Sequence, residues 1–519
     1  YLASIGVNAM IVQVEGSDIR LSICKTRRIQ KGTVYCGEET YELNGKDRTY
    51  KSYRTLGKHV PKPGCEAEFA EYVARKKVPP RNLCMLVPCD PEFNPNKNKQ
   101  TPEAPGGALA NVARVVPDSR RPYLVHYPLW IVLMVVFMAA ASGVLTAVQI
   151  AHYWAANRKK LEQIFGAAFP QRNISHDTVR RLLMQLDATA EGRYLRKLFR
   201  VVMGICLGVW RSHLLALDGQ AARSSKTHNG RPHYTLTVVD CDLRIACDQV
   251  QVGEKTNEIP HAVEVLEALD LSDCVVVADA LHCQHNLVNK IVDKGGDYCI
   301  SLKESSVSKA LYAEVEDVVE VALSEQNLTE QTIPVKSRST HDDGHGRIET
   351  RDYYAIPGSW LEEAQNWTAL SEGTIFVVKT RKTYKATSTG KQEHTETNER
   401  YFATSFSFDH PHLMEVGIRA IRQRWGIESM HWEIDVQMRQ DLVQMSNVRY
   451  IRVQRMLSRI GLGVIRYMQM EFEKEHGTDK PCPSVESMMI HARDPEALMH
   501  IFEGMSENGK LQELLEQEG

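Results

Sequence analysis

The sequence lacks the features that assign a chain to a specialised class at once. Its 63 Lys and Arg nearly balance its 65 Asp and Glu, so a net charge of −2 gives no global sign of a polyanionic partner. The twelve cysteines include no C-x-x-C pair, and the five within the first ninety residues match no standard zinc-ligand spacing. This pattern favours reduced thiols over a disulfide framework. With 519 residues, 43% of them hydrophobic, the composition is typical of a globular protein of several domains.

One apolar run resembles a membrane span. Residues 122–157 contain no Lys, Arg, Asp or Glu, and their centre reads LWIVLMVVFMAAASGVL. That length is sufficient to cross a bilayer. The alternative is a buried pair of helices with a break near Ser142 and Gly143. The rest of the chain favours this alternative, because it is rich in segments typical of soluble proteins. A membrane-anchored protein that uses this run is therefore kept as a less favoured hypothesis.

A basic helix is predicted ahead of the main core. The segment ISHDTVRRLLMQLD offers Ser175 or Asp177 as the N-cap of an amphipathic helix. Arg180 and Arg181 lie on its polar side, and residues 158–200 carry ten basic against four acidic residues. These features fit two interpretations equally well. The helix either belongs to a DNA-reading helix-turn-helix or only packs against its neighbours.

Hydrophobic periodicity also predicts the order of the elements. From about residue 210, three successive strands are followed by an alternation of helix and strand, which is the order of an RNase H-like core with a mixed sheet. The predicted fold class is therefore mixed α/β. The predicted segments are a small β-rich module of unknown role (1–105), a helical domain (110–205), a core in two pieces (210–303 and 406–470), a β-rich interruption (304–405) and a helical C-terminal tail (471–519).

Three carboxylates stand where this element order brings side chains together. Asp218 ends the apolar stretch LLALD, Asp279 follows the buried stretch CVVVA, and Glu428 lies in a helical, Arg-rich segment. Such carboxylates can hold divalent cations for phosphodiester chemistry. Each has a structural alternative: Asp218 fits a turn with Gly219, and Arg424 to Glu428 fits an i, i+4 ion pair.

Several segments of the chain resemble those of a known protein family. The matching segments, in family order from about residue 120 to about 465, include LALDGQAARSS, VGEKTNEIPHAVEVLEALDL, VVVADALHCQHNLVNKIVDKGGDYCISLK, DDGHGRIETRDYY and RQRWGIESMHWEIDVQMRQD. Together they are similar to the H-repeat-associated insertion-sequence transposases, within the DDE transposases. Three departures are visible, one of which is that residues 1 to about 110 lie outside the matching region. The segment WGIESMHW is one residue shorter than is usual in the family, and Ile421 and Asp435 replace a Tyr and a Lys of a related signature.

The resemblance implies a function and its partners. It implies an RNase H-like catalytic core with a β-rich insertion, in which Asp218, Asp279 and Glu428 hold two Mg²⁺ or Mn²⁺ ions. The reaction would be DNA strand cleavage and strand transfer on double-stranded DNA, at terminal inverted repeats and at target DNA. A cytoplasmic, nucleoid-associated homodimer or higher oligomer with no membrane contact is expected. A nuclease without strand transfer and a catalytically decayed DNA-binding remnant are the alternatives.

Further side chains are assigned more loosely from their position in the segments. Lys303, Arg347, Arg351 and Arg424, together with Arg180 and Arg181, are candidate contacts to the DNA backbone. His431, Trp432 and Asp435 are candidate orienting residues beside Glu428.

Overall fold

The chain forms two compact units, and the computed structural model describes most of the second. The first unit spans residues 1–104 and 115–128, and the second spans 105–114 and 129–519. For residues up to 55 the backbone alone is described. The described residues are 10–13, 20–29, 32–43, 46–55, 107–116, 118, 120, 125–186, 193–207, 213–226, 232–252, 258–324, 332–344, 347–384, 394–445, 447–477 and 480–505.

The first unit contains a small antiparallel sheet in the region where the sequence predicts a β-rich module. Its four strands pair in chain order. The extent and role of the predicted module stay a prediction, and the cysteine side chains of this region lie outside the described residues. The strands are β1 (Met10–Gln13), β2 (Arg20–Ile29), β3 (Gly32–Leu43) and β4 (Lys46–Thr55).

Helices occupy the described residues between 107 and 207. Of the two predicted N-caps, Ser175 caps the helix: its Oγ accepts a hydrogen bond of 3.2 Å from the backbone N–H of Thr178, whereas Asp177 lies in the first turn. The helices are α1 (Gly107–Val115), α2 (Leu129–Ala141), α3 (Ala147–Ala156), α4 (Arg158–Phe165), α5 (His176–Leu186) and α6 (Arg193–Leu207).

The apolar run folds as two short helices, which the break at Ser142 and Gly143 separates. All residues of α2 except Trp130 are buried. Gly143 adopts a φ of +73°, which glycine reaches without strain. Ser142 Oγ donates to the carbonyl of Ala492 at 2.7 Å and anchors the turn. No helix in the described part of the chain is both long and apolar enough to cross a bilayer.

A nine-stranded mixed sheet forms the centre of the second unit, which confirms the mixed α/β fold class. Its order is β10-β11-β12-β13-β9-β8-β5-β6-β7. Strand β8 runs parallel to β5 and to β9, and the other neighbours are antiparallel. The strands are β5 (Leu214–Lys226), β6 (Pro232–Asp240), β7 (Ile245–Val252), β8 (Val275–Ala278), β9 (Asp297–Leu302), β10 (Lys336–Gly344), β11 (Arg347–Pro357), β12 (Thr374–Tyr384) and β13 (His394–Thr404).

The strands of the predicted β-rich interruption extend this sheet. Tyr401 to Thr404 of β13 pair with Cys299 to Leu302 of β9. The apolar residues Phe376 and Phe402, which face each other in β12 and β13, are buried like those of the core strands. Strands β10 to β13 therefore belong to the same sheet as the core strands, which they join through β13.

The remaining helices cover the sheet and include the segment that carries Glu428. A Cβ on Gly417 would lie 2.1 Å from the Phe376 ring, so glycine permits the close approach of its helix to β12. The helices are α7 (Glu258–Glu267), α8 (His285–Asp293), α9 (Lys309–Ala322), α10 (Leu413–Gln423), α11 (Trp425–Trp432), α12 (Val448–His476), α13 (Val485–His491) and α14 (Pro495–Gly504).

Candidate active site

Asp218 and Asp279 follow a pair of residues that face each other on two parallel strands. Leu217 of β5 pairs with Ala278 of β8; Asp218 is the next residue of β5, and Asp279 comes directly after the end of β8. Because neighbouring strands lie about 4.8 Å apart, the two carboxylates start from adjacent backbone positions. The structure thus brings together the first two predicted ligands.

The setting of Asp218 differs from the prediction. The sequence predicts that the strand ends there, whereas β5 continues to Lys226 and Asp218 pairs with Thr237 of β6. The partner strand β8 stops at Ala278 instead, which uncovers one side of β5 at Asp218. The Asp-Gly pair is therefore not a turn, because continued pairing with β6 keeps the backbone extended.

Charge and burial together raise the pKa of Asp218. Burial is the largest cause and the charge of Asp279 is the next, and the pKa rises to about 6. The charge of Glu428 acts in the same direction, while Arg424 opposes it. A cation at this position would relieve the repulsion among these carboxylates.

Helix α11 carries the third predicted ligand toward Asp218. Glu428 and His431 are three residues apart and so share a face of the helix. His431 Nδ1 lies 3.8 Å from Asp218 Oδ2, and Arg424 Nη2 lies 3.3 Å from Glu428 Oε1. Burial and the charges of Arg459 and Arg455 lower the pKa of His431 to about 3, so this imidazole is neutral. The Glu428 side chain is 42% exposed and is therefore accessible to solvent.

The chain after α11 contacts β5 through a polar network that the sequence did not reveal. Asp435 lies in a π-helical turn, Glu433–Gln437, and accepts a hydrogen bond of 2.8 Å from Gln220 Nε2. Gln220 Oε1 accepts from Arg455 at 2.9 Å and from Arg459 at 2.8 Å, and both guanidinium groups are buried in α12. The one available signal was that Gln220 follows Asp218 by two residues, on the same side of the strand.

The remaining predicted orienting residue lies at the surface. Trp432 is 55% exposed. The described contacts place Asp435 and His431 toward β5 but leave Trp432 at the surface.

The donor set fits a hard divalent cation by its chemistry. Asp218, Asp279 and Glu428 supply carboxylate oxygens, the ligands that Mg²⁺ and Mn²⁺ prefer. Within the described ranges, no three His, Cys, Asp or Glu side chains stand close enough to share one ion. The carboxylates therefore need side-chain movement to coordinate a metal jointly.

A basic groove of about 560 Å³ lies beside this site, on the sheet extension. Arg351 Nη2 lies 2.9 Å from Glu349 Oε1 and Arg347 Nη2 lies 3.2 Å from Glu349 Oε2. Lys382 Nζ lies 3.8 Å from Oε1, so three cations share one buried carboxylate. Arg424 also lines the groove. The basic lining residues that the sequence did not single out are Lys382, Arg400 and Arg422.

The other predicted DNA contacts do not join this groove. Lys303 is exposed directly after β9. Arg180 and Arg181 are exposed on α5, and Arg180 Nη2 lies 3.4 Å from Asp177 Oδ1. Arg180 lines a different cleft, of about 1310 Å³, which it shares with Tyr450 of α12.

Comparison with known proteins gives two matching family profiles. The profile described as "Transposase DDE domain" matches residues 211–460, and the profile described as "DDE_Tnp_1-associated" matches residues 111–198. The first match contains Asp218, Asp279 and Glu428, and the second covers helices α2 to α5.

Relatives cover the same region. The H repeat-associated candidate transposase YhhI of Escherichia coli K12 is 24% identical over 334 residues, 63% of this chain and 82% of that protein. The candidate transposase YncI of Escherichia coli O157:H7 is 25% identical over 344 residues, 64% of this chain and 81% of that protein. The structure of a piggyBac transposase in a synaptic complex with hairpin DNA matches 77% of this chain and 78% of that one, at 11% identity. Its TM-score of 0.35 is too low to support a common fold. By its domain profiles and these relatives, the chain belongs to the DDE transposases and is similar to the H-repeat-associated group.

Proposed function

We propose that this transposase cleaves DNA and transfers strands at the ends of its own insertion sequence, in a metal-dependent reaction. The observation that carries the proposal is the register of β5 and β8. It sets Asp218 beside Asp279 at the position that helix α11 approaches with His431. A membrane-anchored role is not part of the proposal, because the apolar run is folded into the helical region.

The strand order supports an RNase H-like core. Strands β5, β6 and β7 form an antiparallel meander, and β8 and β9 are added in parallel on the other side of β5. This is the arrangement that the sequence order predicts, with the acidic residues at one edge. We therefore propose 210–303 and 406–470 as the catalytic core, preceded by a helical DNA-binding domain at 110–205, with 304–405 as its insertion and 471–519 as a tail.

Each carboxylate has a proposed role toward two Mg²⁺ or Mn²⁺ ions. Asp218 would contact both, Asp279 one and Glu428 the other. When bound, such ions lower the pKa of water and stabilise a leaving oxygen in phosphoryl transfer. Arg424 orients Glu428 through their 3.3 Å contact, and His431 packs as a neutral group against Asp218.

The basic groove is the proposed path of the DNA backbone near the site. Its lining contains six basic and two acidic residues, and Arg424 links it directly to Glu428. Guanidinium groups bind phosphate through paired hydrogen bonds. Arg180, Arg181 and Lys303 are proposed as more distant backbone contacts, on a homodimer or higher oligomer assembled on DNA at the nucleoid.

Cleavage of the element's own ends tests the proposal. Purified chain is incubated with a labelled duplex that carries the terminal inverted repeats from the genomic flanks, with Mg²⁺ or with EDTA. Asp279→Asn should abolish cleavage and joining while the circular dichroism spectrum stays unchanged. Asp293→Asn is the matched control, an exposed aspartate at the end of α8.

The result separates the alternatives. Cleavage without joining indicates a nuclease without strand transfer. Binding of the ends by the wild-type chain without Mg²⁺-dependent cleavage indicates a catalytically decayed remnant and contradicts the proposal.

A further inference from the structure

We propose that Glu258 and His282 form a buried positioning pair that holds the Asp279 carboxylate for metal binding. The inference rests on the proposed function, because it assigns these two residues to the same site. Neither is among the three carboxylates discussed above.

Glu258 reaches the site from the start of α7. It is the first residue of that helix and only 3% exposed. A Cβ built on Gly219 would lie 2.7 Å from Glu258 Oε1 and 2.9 Å from Oε2. The Glu258 carboxylate therefore lies against the backbone of β5 at the residue that follows Asp218, where a Cβ would displace it.

His282 lies between Glu258 and Asp279. It ends the short turn Ala280–His282, of which Asp279 is the N-cap. His282 Nε2 lies 3.8 Å from Glu258 Oε2 and 4.0 Å from Asp279 Oδ1, so one ring nitrogen faces both carboxylates. The side chain is 1% exposed, and neither of its ring nitrogens has a hydrogen-bond partner in the structure.

A buried imidazole whose ring nitrogens have no hydrogen-bond partner needs a reason at this position. Buried polar atoms are nearly always hydrogen-bonded, and an unpaired one costs about 1–3 kcal/mol. An apolar side chain would fill the space of His282 without that cost. His282 Nε2 gains partners if the ring carries its N–H on this nitrogen and shares it between Glu258 and Asp279.

Such sharing fixes the Asp279 carboxylate. The Asp279 side chain is 43% exposed, and its Oδ1 accepts a hydrogen bond of 3.1 Å from the Leu281 N–H. A histidine behind it restricts its rotation and leaves the outer oxygen directed toward a cation. Residues that orient metal ligands in this way typically change metal affinity 10–100-fold when replaced.

The test measures metal binding apart from activity. Free Mn²⁺ is titrated into the full-length protein without DNA and followed by electron paramagnetic resonance. We expect Glu258→Gln to weaken Mn²⁺ binding by about 10–100-fold, and excess Mn²⁺ to restore end cleavage to near the wild-type rate. Glu267→Gln, at the exposed end of the same helix, is the control and should bind as wild type.

A second variant keeps the test decisive. His282→Gln removes the imidazole with the carboxylate still present, and we expect the same loss of Mn²⁺ affinity. Wild-type affinity in either folded variant overturns the proposal, as does loss of folding in both, since the pair would then serve only the core. If Asp279→Asn also binds Mn²⁺ as wild type, the proposed function itself fails; if Asp279→Asn alone loses binding, this inference alone fails.

Discussion

At the scale of single residues, Asp218 is the most informative side chain, because its ionisation reports on its neighbours. Burial and the adjacent Asp279 raise its pKa to about 6, so the folded chain binds a proton more tightly at Asp218 than the unfolded chain does. For a carboxyl group with a raised pKa, this contribution to stability is present at low pH and is lost as pH rises from about 4 to about 6.

The metal-free chain should therefore lose stability across that pH window. In EDTA, the free energy of unfolding should decrease by up to about 3 kcal/mol between pH 4 and pH 6. The Asp218→Asn variant should not show this decrease. Urea denaturation at a series of pH values measures it, and added Mg²⁺ should recover stability at pH 7. Identical profiles for the two proteins would contradict the assigned environment.

The Gln220 network permits a second prediction at this scale. Gln220→Ala removes the acceptor of Arg455 and Arg459 and the donor to Asp435, leaving buried charges without these partners. We expect urea denaturation to show a loss of roughly 3 kcal/mol in the free energy of unfolding, because removing one partner leaves buried ions uncompensated. Gln163→Ala, on the exposed side of α4, should change stability by less than about 0.5 kcal/mol. Equal effects of the two changes would show that the network contributes little.

At the scale of elements, hydrophobic pattern and capping predicted much of what the structure contains. The break at Ser142 and Gly143 and the cap at Ser175 were visible as local signals. The length of β5 was not, because it depends on pairing with β6 beyond Asp218. The burial of Arg455 and Arg459 in α12 was not visible either, since nothing local indicates that Gln220 lies against them.

Packing between α2 and α12 gives a prediction about elements. A Cβ on Gly461 would lie 2.3 Å from the carbonyl oxygen of Ala140, so Gly461→Ala must separate two buried helices. We expect a lowered Tm and a loss of about 1–3 kcal/mol or more. Gly504→Ala, where the nearest atom is 3.8 Å away, should be neutral or slightly stabilising. A wild-type Tm for Gly461→Ala would contradict this packing.

At the scale of the whole molecule, the net charge of −2 conceals a local basic groove. Sequence could indicate Arg347, Arg351 and Arg424, because they lie in the segments that resemble the family. It could not indicate Lys382 or Arg400, which reach the same groove only because β12 and β13 pair beside β11.

Replacing one groove residue should change the salt dependence of DNA binding. Arg400→Ala should weaken binding to different sequences alike and reduce the slope of log K against log salt by about one. Fluorescence anisotropy between 50 and 300 mM salt (about the range over which such slopes are measured) determines it. Lys309→Ala, an exposed residue of α9, is the control. An unchanged slope for Arg400→Ala would place the DNA elsewhere.

Asp218, Asp279 and Glu428 are proposed to form one catalytic site, and Glu428 is its decisive member because it comes from a helix separate from the two strands. The measurement is the single-turnover rate of Mg²⁺-dependent cleavage at the inverted repeats for Glu428→Gln against Glu471→Gln, a change at a partly exposed glutamate of α12. We expect a loss of roughly 1000-fold or more for Glu428→Gln, since several kcal/mol of transition-state stabilisation are removed, and a wild-type rate for Glu471→Gln. A wild-type rate for folded Glu428→Gln would contradict the proposed site.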